Sequence, residues 1–270
     1  MTDSPIVPRI RRARGFRLYD EAGKRYVDLY QAGGSAVLGH RGPGAVREAK
    51  DALSRGLGSA FPSVYETRMK KLLRRLFPSY GIVELYSCLH RGLDAASVFL
   101  GSRIEEADIA DPALSADAAK NAVVSYWRPF LPDDACGNPE VLIPILPSGG
   151  IQGFTAVCYK TREGERVSVG DTVSACLLAG ALRAVPNLKA AVRLENAVTS
   201  AVDGSKNWRR RGPYISAMID SRRYAAVFRV FLDAGYLLSP HYPGPSIVPG
   251  ELSPGEAAGL CRLFKDAEGG

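Results

Sequence analysis

The residues best placed to do chemistry in this chain are glycines that follow strand-like runs. The stretch "ILPSGGIQGFTA", residues 145 to 156, puts Gly149 and Gly150 directly after the apolar run "EVLIPILP". A glycine pair there permits a turn that bulkier residues would block, closed around another segment or a ligand. A second case is "GIVELYSC" (81 to 88), strand-like in its β-branched and aromatic content, followed by "GLDAASVFLGSRI", a helix predicted to begin at Gly92. That order can bind phosphate, because the first amides of a helix are unpaired and its macrodipole is positive there. A single glycine is also what an ordinary connector uses.

The remaining reactive side chains form no pattern. His40, His90 and His241 make neither a metal set nor a triad, although His90 and Arg91 stand just before Gly92 and can present positive charge to an anion. Five cysteines, at 88, 136, 158, 176 and 261, are odd in number and lack CxxC spacing. They read as reduced core thiols rather than a disulfide framework or a zinc site. A net charge of +7 raises nucleic acid as a partner, since clustered Lys and Arg release counterions from phosphates. The clusters "RIRRAR" (9 to 14), "RMKKLLRR" (68 to 75) and "NWRRRG" (207 to 212) are short and scattered, so solvated helix faces and termini account for them. No nucleic-acid partner is expected, while an anionic small molecule suits the charge.

No apolar run approaches the roughly 20 residues of a membrane-spanning helix, so no membrane partner is expected. The basic start "MTDSPIVPRIRRARG" lacks the apolar centre of a signal peptide, which makes the cytoplasm the expected location.

The elements that must position these residues alternate between strand and helix, the order of an α/β or α+β chain, with no internal repeat. "GFRLYDEAGKRYVDLY" (15 to 30) predicts a hairpin with Gly23 in its turn, and 45 to 57 a helix ending at Gly58. "SVYE" from Ser63 is a capping box opening a helix with Met69, Leu72, Leu73, Leu76 and Phe77 on one face before Pro78. Strands "EVLIPIL" and "FTAVCYK" flank the glycine pair, and a helix is expected from Asp171 onward. Two helices are expected to close the chain: about 214 to 234, ending at Gly235, and one opened by Ser253 with Pro254 first and Glu256 completing a capping box. Between them "YLLSP" and "SIVP" read as short strands.

"GFRLYDEAGKRYVDLYQAGGSAVLGHRGPGAVREAKDAL" resembles the N-terminal signature of class III aminotransferases, especially the glutamate-1-semialdehyde aminomutase branch, with its "G..l.D.dGk.Y.D" hairpin leading to "lGH.hP.v..A". "LLRRLFP" is similar to the next family helix, and "FRVFLDAGYLLSPHYPGPSIVPGELSPGEAAGLCRLF" to the family C-terminus. Together these segments cover about a third of the chain. The resemblance implies a shortened fold-type-I α/β transferase with a reduced central sheet and an α+β small domain built from both termini. Its parts would be 1–80 (hairpin and helices), 81–186 (reduced cofactor-type domain) and 187–270 (C-terminal small domain).

The resemblance also implies pyridoxal phosphate, which needs a lysine for its Schiff base, a carboxylate at its pyridine nitrogen and a phosphate cradle. "RGLDAA" stands for the family's phosphate turn "GT/SEA", with Gly92, Asp94 and Ala95 kept and Leu93 in place of the hydroxyl residue. "GDTVSACLLAGAL" resembles the segment whose threonine reaches the phosphate of the second subunit, which makes Thr172 the matching position. "PEVLIPILPSGGIQGFTA" aligns with "PD...lGK..gGG.p.gA", so Leu146 occupies the lysine position while Gly149 and Gly150 persist. An alternative alignment leaves the lysine deleted, with Lys160 the nearest amine in sequence. The carboxylate strand falls in the shortened stretch between "SYWRPF" and "NPEVLI", where Asp133 and Asp134 are candidates by proximity. Trp127 or Tyr126 matches the ring-stacking aromatic, core packing being the other reading.

These readings lead to a catalytically silent aminotransferase-like protein that still offers a phosphate-ligand site or regulates a partner. An active aminotransferase or aminomutase and a different activity on the same scaffold are the alternatives. A homodimer, or a heterodimer with a related protein, is expected because the resembled family builds its site across such an interface.

Overall fold

The computed structural model describes residues 6–160, 167–191 and 197–267. Met1–Pro5, the start of the basic N-terminal stretch, lie outside the described residues. Strands β2 (Arg17–Asp20) and β3 (Arg25–Asp28) form the expected hairpin. Its turn closes because Asp20 accepts the Lys24 amide at 2.8 Å on Oδ1 and Gly23 takes φ +85°, a conformation that favours glycine. Strand β1 (Ile10–Arg14) adds antiparallel to β2, so the basic run 9–14 is an edge strand and not a helix face or loose terminus.

Helix α1 (Ala45–Ser54) stops at Arg55, with Gly56 at φ +77°, earlier than the expected end at Gly58. Helix α2 (Val64–Leu76) buries Met69 and Leu73 as its period requires. Its capping box does not form, because Glu66 turns outward to Lys70 at 3.0 Å and the Ser63 side chain makes no cap bond.

The central sheet contains β4 (Ile82–Tyr86), β5 (Val124–Trp127), β6 (Val141–Pro144) and β7 (Thr155–Tyr159), in the order β4-β7-β6-β5. β5 and β6 are parallel, and β7 runs antiparallel to both β6 and β4. Helix α3 (Leu89–Leu100) packs on β4 and β7, and the five-residue α4 (Ala116–Lys120) precedes β5. Helix α5 (Ala175–Ala184) starts four residues later than expected and packs against α1 and α2. The core beneath it joins Met69, Leu73, Val83, Leu142, Cys158 and Leu178.

The rest of the chain builds α6 (Ala197–Asp203), β8 (Trp208–Arg211), β9 (Tyr214–Ala217), α7 (Ser221–Asp233), β10 (Tyr236–Leu237), β11 (Ser246–Ile247) and α8 (Pro254–Asp266). The expected helix from 214 is corrected: Tyr214–Ala217 is a strand hairpinned to β8 around Gly212, at φ +52°. Asp220 then starts α7 by accepting the amides of Arg222 and Arg223. Ser253 and Glu256 form the expected capping box on α8. β10 pairs parallel with β3, so both chain ends share one sheet and one core, in which Leu29 and Tyr26 meet Phe228, Phe231 and Phe264. The architecture is α/β, with a four-stranded central sheet and an α+β unit built from both termini, as the resemblance implied.

Candidate functional site

The end of the central sheet opens into a cavity of about 640 Å³, lined by segments 30–35, 87–89, 143–148 and 151–156 and by His241. Such a volume is ordinary for a small-molecule site. The strand-to-helix turn at its rim is Ser87–Cys88–Leu89, since α3 begins at Leu89 with Cys88 as N-cap. Gly92 and Leu93 therefore lie one turn inside the helix, both buried, and not in the turn where the sequence placed them. A Cβ on Gly92 would sit 3.0 Å from Val157 Cγ2, so this glycine allows α3 to approach β7. The signal for the true start was the apolar period Leu89, Leu93, Ala96, Leu100, which begins before the glycine.

Asp171 occupies the neighbourhood of that helix start. Its Oδ2 accepts from the Ser87 amide at 3.0 Å and hydroxyl at 2.6 Å, and its Oδ1 from Arg91 Nη2 at 2.9 Å. The Arg91 hydrogen bond first, then those of Ser87, hold the Asp171 carboxyl well below the usual range. The chain thus supplies its own anion beside α3, and Arg91 is already paired. His90 is exposed and lies 3.9 Å from Asp94. Thr172, next to Asp171, is exposed and does not line the cavity.

Leu146 lines the cavity wall and is 8% exposed, packed in the core beneath α5. Tyr126 lines the cavity, whereas its strand neighbour Trp127 points to the other face and packs edge-on against Phe77 at 5.2 Å. Burial raises the Tyr126 phenol, and burial followed by Asp28 raises that of Tyr30, so both stay protonated donors. Tyr30 also meets the His241 ring at 5.5 Å. Cys88 is exposed at the rim, unlike buried Cys136 and Cys158, so the expectation of core thiols holds only for part of the set. Sequence reasoning missed Tyr30, Glu106, Phe154 and His241, which reach the site from four separate segments.

Gly149 and Gly150 do not face the cavity. Arg41 donates its amide to Gly149 O at 3.4 Å, and the Ser148 and Gly150 amides donate to Ser35 O at 2.8 and 3.2 Å. A Cβ on Gly150 would meet His40 Nδ1 at 2.9 Å. The pair is the seat on which segment 35–42 rests. That segment is fixed from the other side by His40 Nε2, 2.7 Å from Oδ2 of the buried Asp28. At the sheet end the buried Arg128 makes two bonds to Asp111, at 2.7 and 2.6 Å, and one to Gly33 O at 3.1 Å. It ties the cavity wall to the terminal unit.

The lining does not match the donor set of a Schiff-base cofactor. Among the described residues it holds no lysine and no arginine, and Glu106 is its one carboxylate. Lys160 lies beyond the far end of β7, about 16 Å along the strand from Thr155, and its amine bonds Asn138 O. Asp133 and Asp134 sit in an exposed turn outside the cavity. Among the described residues, no His, Cys, Asp and Glu cluster could hold a metal ion, and no helix is long and apolar enough to cross a membrane.

No family model matches the chain. It is 27% identical over 290 residues to an uncharacterized protein of Treponema pallidum (strain Nichols), covering 89% of each chain. An uncharacterized protein of Borreliella burgdorferi is 28% identical over 274 residues, 97% of this chain and 93% of that one. A glutamate-1-semialdehyde 2,1-aminomutase of Anaeromyxobacter sp. is 28% identical over 196 residues, 56% of this chain but 45% of the aminomutase. Among solved structures, an ornithine aminotransferase of Plasmodium yoelii superposes with TM-score 0.68 at 16% identity, over 97% of this chain and 94% of that one. A transaminase with PLP bound reaches 0.73 at 12% identity, over 99% and 92%. The chain shares the fold of the class III aminotransferases and resembles the aminomutase branch over part of its sequence.

Proposed function

We propose that this protein is a catalytically silent aminotransferase-fold protein whose sheet-end cavity takes a small ligand without covalent attachment. The observation that carries this reading is the cavity lining, which among the described residues has no lysine and includes Leu146, where the resemblance aligns the Schiff-base lysine. A leucine forms no imine, and the missing cations leave a cofactor phosphate without a side-chain clamp. Tyr30, Tyr126, Ser148 and Gln152 offer neutral polar contacts among apolar walls, a lining that suits an uncharged or weakly polar guest.

The test is purified protein mixed with pyridoxal phosphate, followed by spectrum, borohydride reduction and mass mapping of lysines. No stable cofactor absorbance and no reduced lysine adduct are expected, for the wild type and equally for Leu146→Lys. An amine at 146 would enter an apolar wall, with Asp171 already holding the helix start and Ser87 and Arg91 committed to it. A mapped lysine adduct in the wild type, or an adduct at residue 146 with amino transfer in the variant, would overturn the reading.

We also propose a homodimer in the cytoplasm. Leu53, Phe61 and Val64, in and beside the α1–α2 connection, are 58–63% exposed, and five free thiols suit a reducing compartment. Light scattering is expected to give twice the 29.0 kDa of one chain.

A further inference from the structure

The run 9–14 and the segment 38–43 close a second cleft, of about 520 Å³, whose His40 and Gly42 pack against the Gly149–Gly150 seat. Arg12 and Arg14 come to it from β1, and Arg41 from a connection 27 residues further on, with Leu38 and His40 in the wall. Among the described residues, no carboxylate lines it. The ion pairs of the described arginines go elsewhere, at Arg17, Arg25, Arg47, Arg91, Arg103, Arg128 and Arg210. Arg12 stacks over Tyr19 at 5.2 Å, which leaves its N–H edge free to donate.

The cleft is built before any ligand arrives. His40 donates its amide to Gly15 O at 2.7 Å, so the tip of the β1–β2 hairpin is bridged to segment 38–43. Gly39 approaches Gly15 so closely that a Cβ would lie 3.2 Å from its backbone. Asp28 holds the His40 ring and Gly150 backs it. Arg41 has φ +60°, a strained backbone for a residue with a side chain, which glycine would adopt without cost. Three guanidiniums gathered without an acid repel one another, and a bound anion removes that repulsion.

Arginines on an edge strand also serve to repel unwanted β-pairing. That role accounts for Arg12 and Arg14, but not for Arg41, which is on no strand, has φ +60° and lines the same cleft. We infer that this cleft binds a small molecule carrying a phosphate or diphosphate group, gripped by the guanidiniums of Arg12, Arg14 and Arg41. Planar guanidinium forks match phosphate oxygens two at a time, and the volume lies within the range of small-ligand sites.

Calorimetric titration with inorganic pyrophosphate at low salt tests this. Saturable one-to-one binding is expected, weakening as salt rises. Arg14→Ala and Arg41→Gly should each weaken it about tenfold, while Arg47→Ala, at an exposed residue paired with Glu48 outside the cleft, leaves it unchanged. Arg41→Gly should also raise the Tm, because it relieves the backbone while losing the ligand. Absence of saturable binding overturns the inference, as does binding that survives both cleft substitutions. Capture of a long single-stranded RNA but not of pyrophosphate would overturn it in favour of a nucleic-acid surface.

Discussion

At the end of the central sheet, aromatic and aliphatic walls surround a cavity whose described lining has one carboxylate and neither lysine nor arginine, whereas beside the terminal hairpin three arginines line a cleft with no carboxylate among the described residues. The glycine pair joins them, lying in sequence between Ser148 and Ile151 of the cavity lining and packing against His40 and Gly42 of the cleft wall. A resemblance to phosphate-cofactor enzymes places the anion at the sheet end, yet there the chain's own Asp171 bonds Ser87 and Arg91. The contrast teaches that a fold can keep its glycines and strand order while its positive charge is deployed elsewhere, because packing sets the first and side-chain identity the second.

One buried ion pair lies at the cavity wall and one part-buried pair ties the hairpin to α8, and breaking each in turn separates the two regions. Arg128→Ala should have the larger effect. Arg128 and Asp111 are 7% and 8% exposed, so the substitution strands a buried carboxylate and is expected to cost about 3–5 kcal/mol in urea unfolding. Pyrophosphate binding at the hairpin should persist in the protein that remains folded. A loss under about 1 kcal/mol would mean that Asp111 relaxes to solvent and that the cavity wall does not depend on the pair.

The second pair, Arg17 with Glu256, binds the hairpin to α8 at 2.7 Å. Burial pushes the Glu256 carboxyl up, but hydrogen bonds from Arg17 and Ser253 outweigh it and hold the pKa at about 2, against 4.5 for the free group. As pH falls, the unfolded chain takes up this proton before the folded one does. The stabilisation is therefore complete above about pH 5 and lost as pH drops towards 2, on the order of 2 kcal/mol. Arg17→Ala should flatten that slope in acid unfolding curves. An unchanged slope would show that the helix cap, and not Arg17, holds the carboxylate.

The terminal unit was the more legible of the two regions. Its hairpin and the cap of α8 rest on contacts a few residues apart, and they stand where the residues indicated. Identical local logic failed at Ser63, where Glu66 found Lys70 and left the box open. In the central region the start of α3 was misread by three residues, because a glycine that serves helix-to-sheet packing looks the same in sequence as one that serves a turn. The strand at Tyr214–Ala217 was read as helix because its apolar residues fit either period over so short a run.

By itself the sequence determined the alternation of strands and helices, the hairpin, the α8 cap and the leucine at position 146, since propensities, caps and residue identity are properties of short stretches. Tertiary structure alone decided that the glycine pair seats segment 35–42 instead of cradling a ligand, that Trp127 turns away from the cavity while Tyr126 enters it, and that Arg41 joins Arg12 and Arg14. Those outcomes depend on which distant segments the chain path brings into contact. A glycine or an arginine carries no local mark of the neighbour it will meet.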